Sequence, residues 1–162
     1  MSTTDELLAN NENYAADFHK GDLPLPPAKK VAVVACMDAR LDVHAILGIG
    51  EGDAHVIRNA GGVVTDEEIR SLAISQNLLG TEEIILIHHT DCGMLTFTDE
   101  QFAQQLEEST GEKPPFEAHA FSDLDADVRA AVDRIVQSPF VPNKNVRGFV
   151  YEVESGKLRE VS

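Results

Sequence analysis

Two stretches of the chain are apolar without a break. Val31 to Cys36 reads VAVVAC and Ile84 to Ile87 reads IILI. Continuous β-branched runs of this kind mark strands buried on both faces. Turn residues normally follow such runs, but here both end in groups with chemistry of their own. Cys36, Asp38 and Arg40 follow the first run, and His88, His89, Asp91 and Cys92 follow the second.

The remaining pattern alternates between strand and helix. AHVIRNAGG predicts a second strand ending in glycine and VRGFVYEV a fourth, while LREVS predicts a short final strand entered through the tight turn ESGK. Helices are expected over Leu41 to Leu47, Asp66 to Leu79, and around Asp99 to Glu108 and Asp123 to Val136, with a loop from Gly111 to Pro115 between the last two. Asp66 to Leu79 carries the clearest punctuation: Thr65 as N-cap, acidic residues in the first turn and Gly80 as the stop. Strands alternating with helices imply right-handed βαβ units. The expected fold class is therefore α/β, with a mostly parallel four-stranded sheet flanked by helices and a short extra C-terminal edge strand. A chain of 162 residues supports one such domain.

Ahead of this body, Asp5 to Phe18 reads as a helix with a broken apolar stripe of Leu8, Tyr14, Ala15 and Phe18. GDLPLPPAKK follows it, and its prolines predict an extended linker. The expected organisation is an N-terminal helical arm and proline-rich linker over residues 1–28, then an α/β domain over 29–162.

Charge narrows the partners. Asp and Glu number 28 against 13 Lys and Arg, a formal net charge of −15. Such a surface repels phosphate backbones and anionic lipid, so neither nucleic acid nor a membrane surface is an expected partner. The N-terminus lacks the basic and apolar regions of a secretory signal, and a cytoplasmic location is expected. In that compartment the two cysteines are reduced thiols, suited to metal binding or catalysis.

In an open α/β sheet, ligands bind beyond the carboxyl ends of the strands. Cys36, Arg58 to Gly61, His89 and Cys92 all fall there. Either cysteine alone reads most simply as a buried core residue. The pair reads differently, because His89-x-x-Cys92 adds an imidazole at short ligand spacing. Two thiolates and one imidazole form a set that zinc accepts tetrahedrally, with the fourth position open as in catalytic sites. Asp38 and Arg40 lie two residues apart and point the same way in an extended segment. Their ordinary reading is a salt bridge. Close behind a metal ligand, the carboxylate is also able to accept a hydrogen bond from a metal-bound hydroxide or to ligate the metal itself, with arginine keeping it ionised.

Cys36-x-Asp38-x-Arg40 followed by His89-x-x-Cys92 resembles the signature of the β-class carbonic anhydrases. ACMDARLD, LGIGEGDAHVIRNAGG, IRSLAIS and HHTDCGM are similar to that family's blocks in the same order, and the short length resembles its compact prokaryotic clade. The resemblance implies one Zn2+ per chain on Cys36, His89 and Cys92. It implies reversible hydration of CO2 to bicarbonate and a proton by attack of a zinc-bound hydroxide. Asp38 would orient that hydroxide and Arg40 would hold Asp38. Some members have a closed, inactive form in which the aspartate ligates zinc, and the motif permits both forms. The resemblance also implies a homodimer or higher homo-oligomer, with the N-terminal helix packed on a neighbouring subunit.

Other residues are less informative. Ala60 and Gly61 either line the substrate pocket or form a plain turn. His88 reads as a strand residue with a possible part in proton transfer, and His44 and His55 as surface or packing residues. GIGEG precedes a strand, so it is not a phosphate loop. The chain has no tryptophan, and the inhibitory bicarbonate site that uses one in some relatives is not expected. Two other functions share the ligand set: hydrolysis of carbonyl sulfide or carbon disulfide on the same scaffold, and a non-catalytic zinc or redox sensor. A sensor has no need of Asp38 and Arg40.

Overall fold

The computed structural model describes the whole chain, Met1–Ser162. Four parallel strands form the sheet: β1 (Val31–Cys36), β2 (Ala54–Asn59), β3 (Glu83–His89) and β4 (Asn145–Tyr151). A fifth strand, β5 (Leu158–Val161), pairs antiparallel with β4, and the order across the sheet is β2-β1-β3-β4-β5. The helices are α1 (Thr3–Ala16), α2 (Val43–Leu47), α3 (Asp66–Leu79), α4 (Asp99–Thr110) and α5 (Leu124–Gln137). This is the α/β class that the alternation of patterns predicts, including the antiparallel edge.

The two unbroken apolar runs occupy the centre of the sheet. Ala32, Val34, Ile84 and Leu86 pack one face against Leu72 of α3 and Ala131 and Ile135 of α5. Val33, Ala35 and Ile87 pack the other face against Leu41, Val43, Cys92 and Met94. Alternation along β3 then sends His88 and His89 to opposite faces, a separation no reading of the adjacent pair alone supplies.

Helix limits follow the caps. α3 runs from Asp66 to Leu79 as expected, with Thr65 and Glu68 forming a capping box and Gly80 in the left-handed conformation after it. α1 begins two residues before the expected Asp5, because Ser2 and Asp5 form a capping box, and it ends at Ala16. Phe18 therefore lies beyond the helix, its ring 5.6 Å from that of Tyr14. No residue of α1 is buried. The linker is tied to the body at its far end, where Pro27 is buried and the Ala28 and Lys29 N–H groups donate to the Gly52 and Asp53 carbonyls at 2.9 Å each.

The turn after β2 holds the carboxyl edge together. Gly62 has φ of 68°, and a side-chain carbon there would come within 2.9 Å of the Cys36 nitrogen and 3.0 Å of the Ile87 carbonyl. Only glycine tolerates both constraints. Behind the turn, the buried Glu68 carboxylate accepts from Asn59 Nδ2 and from the Thr65 N–H at 2.8 Å each, and from the Thr65 hydroxyl. Burial pushes the Glu68 carboxyl up, but the hydrogen bonds from Thr65 and Asn59 together outweigh it and hold the group below its ordinary 4.5. A depressed folded-state pKa stabilises the fold above the unfolded value, and that contribution is lost as pH falls through the folded value. Glu68→Ala should therefore cost about 2–3 kcal/mol in urea unfolding at neutral pH, with the penalty shrinking in acid. A cost below about 0.5 kcal/mol would show that the carboxylate does not hold the turn.

Candidate metal centre

Three elements deliver three side chains to one point. Cys36 ends β1, His89 ends β3, and Cys92 lies in the loop that follows. Their ligand atoms all lie within 4.8 Å of one another, and all three residues are buried. Both cysteines are free thiols.

The imidazole is set for coordination by its own backbone. His89 Nδ1 lies 2.7 Å from the Thr90 carbonyl. A carbonyl only accepts, so Nδ1 carries a proton, and in the neutral ring Nε2 is an unprotonated lone pair. That Nε2 is buried with no hydrogen-bond partner. A buried acceptor without a donor costs roughly 1–3 kcal/mol, and a cation beside the two sulfurs would satisfy it. The donor set of two sulfurs and one nitrogen fits zinc and leaves a fourth position for water or substrate. Thr90 is held in turn by β4 and the segment after it: its N–H donates to the Tyr151 carbonyl at 2.9 Å, and its hydroxyl accepts from the Val153 N–H at 3.0 Å.

The thiols share a proton. The neighbouring Cys92 thiol is the largest influence on Cys36, which is held down at about 4 against the upward push of burial, with help from His89 and the Asp38 and Gly61 backbone N–H groups. The same pairing, together with burial, pushes the Cys92 thiol up. The pair thus releases one proton readily and keeps the second, whose place a dication would take. Burial pulls His89 down, but the Cys36 sulfur and the Thr90 carbonyl outweigh it and its net shift is upward.

Asp38 and Arg40 do meet, though not in an extended segment. The Leu41 N–H donates to the Asp38 carbonyl at 3.0 Å, so the pair sits in a turn. Asp38 Oδ1 caps that turn from within by accepting the Arg40 N–H at 2.8 Å. The guanidinium binds the carboxylate at both oxygens, Nε to Oδ1 at 3.0 Å and Nη2 to Oδ2 at 2.9 Å. These bonds hold the Asp38 carboxyl well below its ordinary 3.8 and raise Arg40 further. Asp38 Oδ2 lies 3.6 Å from His89 Nε2. The mutually close ligand set comprises Cys36, His89 and Cys92, and Asp38 stands beside it.

Arg40 has a second partner that the spacing of motifs did not reveal. Its Nη1 donates to Asp91 Oδ2 at 2.8 Å and its Nη2 to the Asp91 carbonyl at 3.0 Å. Asp91 adopts φ of 54°, and the tolerance of aspartate for this region was the only available signal. Arg40, Thr90, Asp91, Glu152 and Glu154 line an open, acidic cleft.

The remaining candidates fall in different places. Ala60 is exposed, while Gly61 is buried, and Met94, Phe121 and Val63 crowd the place a side-chain carbon there would take. His88 is fully buried on the other face of the sheet, its Nε2 2.7 Å from Asp127 Oδ2 and its ring 5.4 Å from that of Phe121. His44 is exposed, and His55 is half-buried with its Nδ1 2.7 Å from the Ser75 hydroxyl.

Known proteins are similar to this chain in sequence and fold. The family model described as Carbonic anhydrase matches residues 31–158. Beta-carbonic anhydrase 1 of Mycobacterium tuberculosis is 59% identical over 163 residues, spanning 100% of this chain and 99% of the relative. A carbon disulfide hydrolase of an Acidianus strain is 37% identical over 183 residues, spanning 96% of this chain and 87% of the relative. The crystal structure of carbonic anhydrase from Streptococcus mutans superposes with a TM-score of 0.94 at 42% identity, covering 100% of this chain and 99% of that one.

Proposed function

The chain belongs to the β-carbonic anhydrase family and is a carbonic anhydrase, and from that premise we propose how it works. The reaction is the reversible hydration of CO2 to bicarbonate and a proton. The observation that carries the reading is the orphaned His89 Nε2 facing two thiols, with the Arg40-bound carboxylate of Asp38 3.6 Å away. Cys36, His89 and Cys92 would hold one Zn2+ per chain. Zinc supplies a Lewis acid that brings the pKa of a water molecule to about 7, a value general to carbonic anhydrases and metalloproteases and not specific to this chain.

The chain's own residues then orient the nucleophile. Asp38 stays anionic throughout the working range, so it accepts hydrogen bonds and donates none. By accepting the hydrogen of a nucleophilic water or hydroxide, Asp38 would turn the oxygen lone pair toward the carbon of CO2. Arg40 keeps the acceptor charged and immobile. A carboxylate held this far below neutrality is a poor proton store, so the product proton passes to solvent or buffer. For Asp38 to ligate the metal in a closed form, bonds to Arg40 must break, and we take the Arg40-bound form as the competent one. Ala60 and Gly61 wall the pocket next to Cys36; Ala60 presents the exposed side chain, and Gly61 directs its N–H to the Cys36 sulfur.

The test is stopped-flow CO2 hydration across pH, with zinc content measured on the same sample. Activity should rise through the neutral range with about one zinc per chain. A profile flat from mild acid to alkali, or turnover without zinc, would refute the mechanism. Carbon disulfide hydrolysis is the second reading, motivated by the relatives of that name. The higher identity to the mycobacterial carbonic anhydrase favours CO2. Hydrogen sulfide release from carbon disulfide should be slow beside CO2 hydration in one preparation, and the reverse ranking would exchange the two assignments.

We also propose a homo-oligomer that places the arm, residues 1–28, on a neighbour of the catalytic domain, residues 29–162. Leu7, Leu8, Tyr14 and Phe18 are all exposed on this chain, an apolar set costly to leave in water. A chain beginning at Lys29 should scatter light as a smaller or aggregated species. Retention of the full assembly would remove the arm from the interface. A cytoplasmic location fits a site whose two thiols must stay reduced, and no helix is long and apolar enough to cross a membrane.

A further inference from the structure

The segment after β1 carries both Cys36 and Asp38, and the separation of these two residues determines whether a ligand and its neighbouring acceptor face one site. Inside the segment the Asp38 N–H is directed at the Cys36 sulfur, and the turn through Arg40 and Leu41 holds Asp38; the anchors from outside come from β2. The Met37 side chain between them is exposed. The Met37 N–H donates to the Asn59 carbonyl at 2.7 Å, which anchors the middle of the segment from β2.

The other anchor from β2 is Arg58. Parallel register places Arg58 beside Ala35 and Asn59 beside Cys36, one step from the segment. Arg58 Nε and Nη2 donate to the Cys36 carbonyl at 3.1 and 3.0 Å, and Nη2 also donates to the Asp38 carbonyl at 2.8 Å. One planar guanidinium therefore joins two carbonyls two residues apart. In a chain with 28 acidic residues, Arg58 forms no ion pair with any carboxylate. Its donors are directed instead at backbone, and at the two residues on either side of Met37.

We propose that Arg58 is a positioning residue that sets the spacing of Cys36 and Asp38 by clamping their carbonyls, so that the thiolate and the Arg40-bound carboxylate converge on one site. It touches neither metal nor substrate and acts through the backbone. The planar fork is what the role requires. A lysine ammonium is a point charge that cannot hold two carbonyls in one plane at a fixed distance. The proposal rests on the carbonic anhydrase reading only for its kinetic consequences.

The test compares Arg58→Gln and Arg58→Lys with the unaltered protein. For Arg58→Gln, kcat should fall about 10–100-fold while KM changes less than about twofold, because the error is in alignment and not in substrate binding. Zinc affinity, read by competition with a chromogenic chelator, should fall by about 10-fold or more. The visible spectrum of the cobalt-substituted protein should change, reporting altered geometry at Cys36. Arg58→Lys should recover only part of each loss. The chelator and cobalt measurements need no turnover, so they test the clamp even if CO2 hydration proves to be the wrong reaction. Wild-type zinc affinity and an unchanged cobalt spectrum in a folded Arg58→Gln would overturn the proposal. If that variant does not fold, the same readouts on Arg58→Lys decide. Failure of both to fold would make Arg58 a folding determinant and overturn the positioning role.

Discussion

Replacing His89 with alanine is expected to release the metal and return CO2 hydration to the uncatalysed rate, a loss on the order of 10⁶-fold or more. The site offers three candidate ligands, so removing His89 would leave two thiols whose protons then compete with the metal. Cys36→Ala and Cys92→Ala should behave alike, with zinc falling from about one per chain to near zero. His88→Ala is the informative control. His88 is equally buried but points at Asp127 on α5, so its loss should lower stability and leave zinc content unchanged. Metal analysis of the four proteins checks the assignment. Full zinc retention in any of the three ligand variants would remove that residue from the set, and zinc loss in His88→Ala with an intact fold would place His88 in it.

Asp38→Ala should keep both zinc and fold yet lose CO2 hydration by roughly 10²–10⁴-fold, the range for a positioned acid or base group. Asp38→Asn is the sharper variant, because it keeps the shape while adding a donor where only an acceptor serves. Arg40→Ala should follow in the same direction, since it releases both carboxylate oxygens. The pH behaviour separates this dyad from the metal site. Arg40 holds Asp38 below its ordinary 3.8, so the ion pair's contribution to stability is complete above that value and is lost only as pH falls through the lower folded value. Asp38 therefore does not titrate where activity rises, and the neutral midpoint should be absent from any titration of Asp38 followed by NMR. An Asp38→Ala protein with the wild-type rate would end the dyad hypothesis.

Much of this was legible because it is local. Unbroken β-branched runs identify central strands, since only strands covered on both faces tolerate them. Thr65, Glu68 and Gly80 delimit α3 by hydrogen-bonding rules that act within a few residues. Candidate ligand types are a matter of composition and spacing, so Cys36, His89 and Cys92 could be proposed before any fold was known, and the fold brings their ligand atoms within 4.8 Å of one another. Even the apposition of two strand ends follows from chain order, because parallel strands joined by crossovers bring their carboxyl ends to one edge.

What chain order could not supply were contacts between residues distant in sequence and the exact path of the turns. Arg40 pairs with Asp38 through a turn and not through extended alternation, and its second partner, Asp91, is 51 residues away. The start of α1 at Thr3 depended on whether Ser2 or a later residue capped it, a competition decided by the reciprocal hydrogen bonds of Ser2 and Asp5. The clamp of Arg58 on the Cys36 and Asp38 carbonyls needs the β1–β2 register, which is a property of the assembled sheet. The sequence thus determined the candidate ligand types, the order of strands and helices along the chain and the caps of α3, because these depend on residue type and short spacing. Only the tertiary structure decided that Arg40 also serves Asp91 and that Arg58 serves the Cys36 and Asp38 carbonyls, because those contacts join residues 20 to 51 positions apart that the sheet brings within about 3 Å.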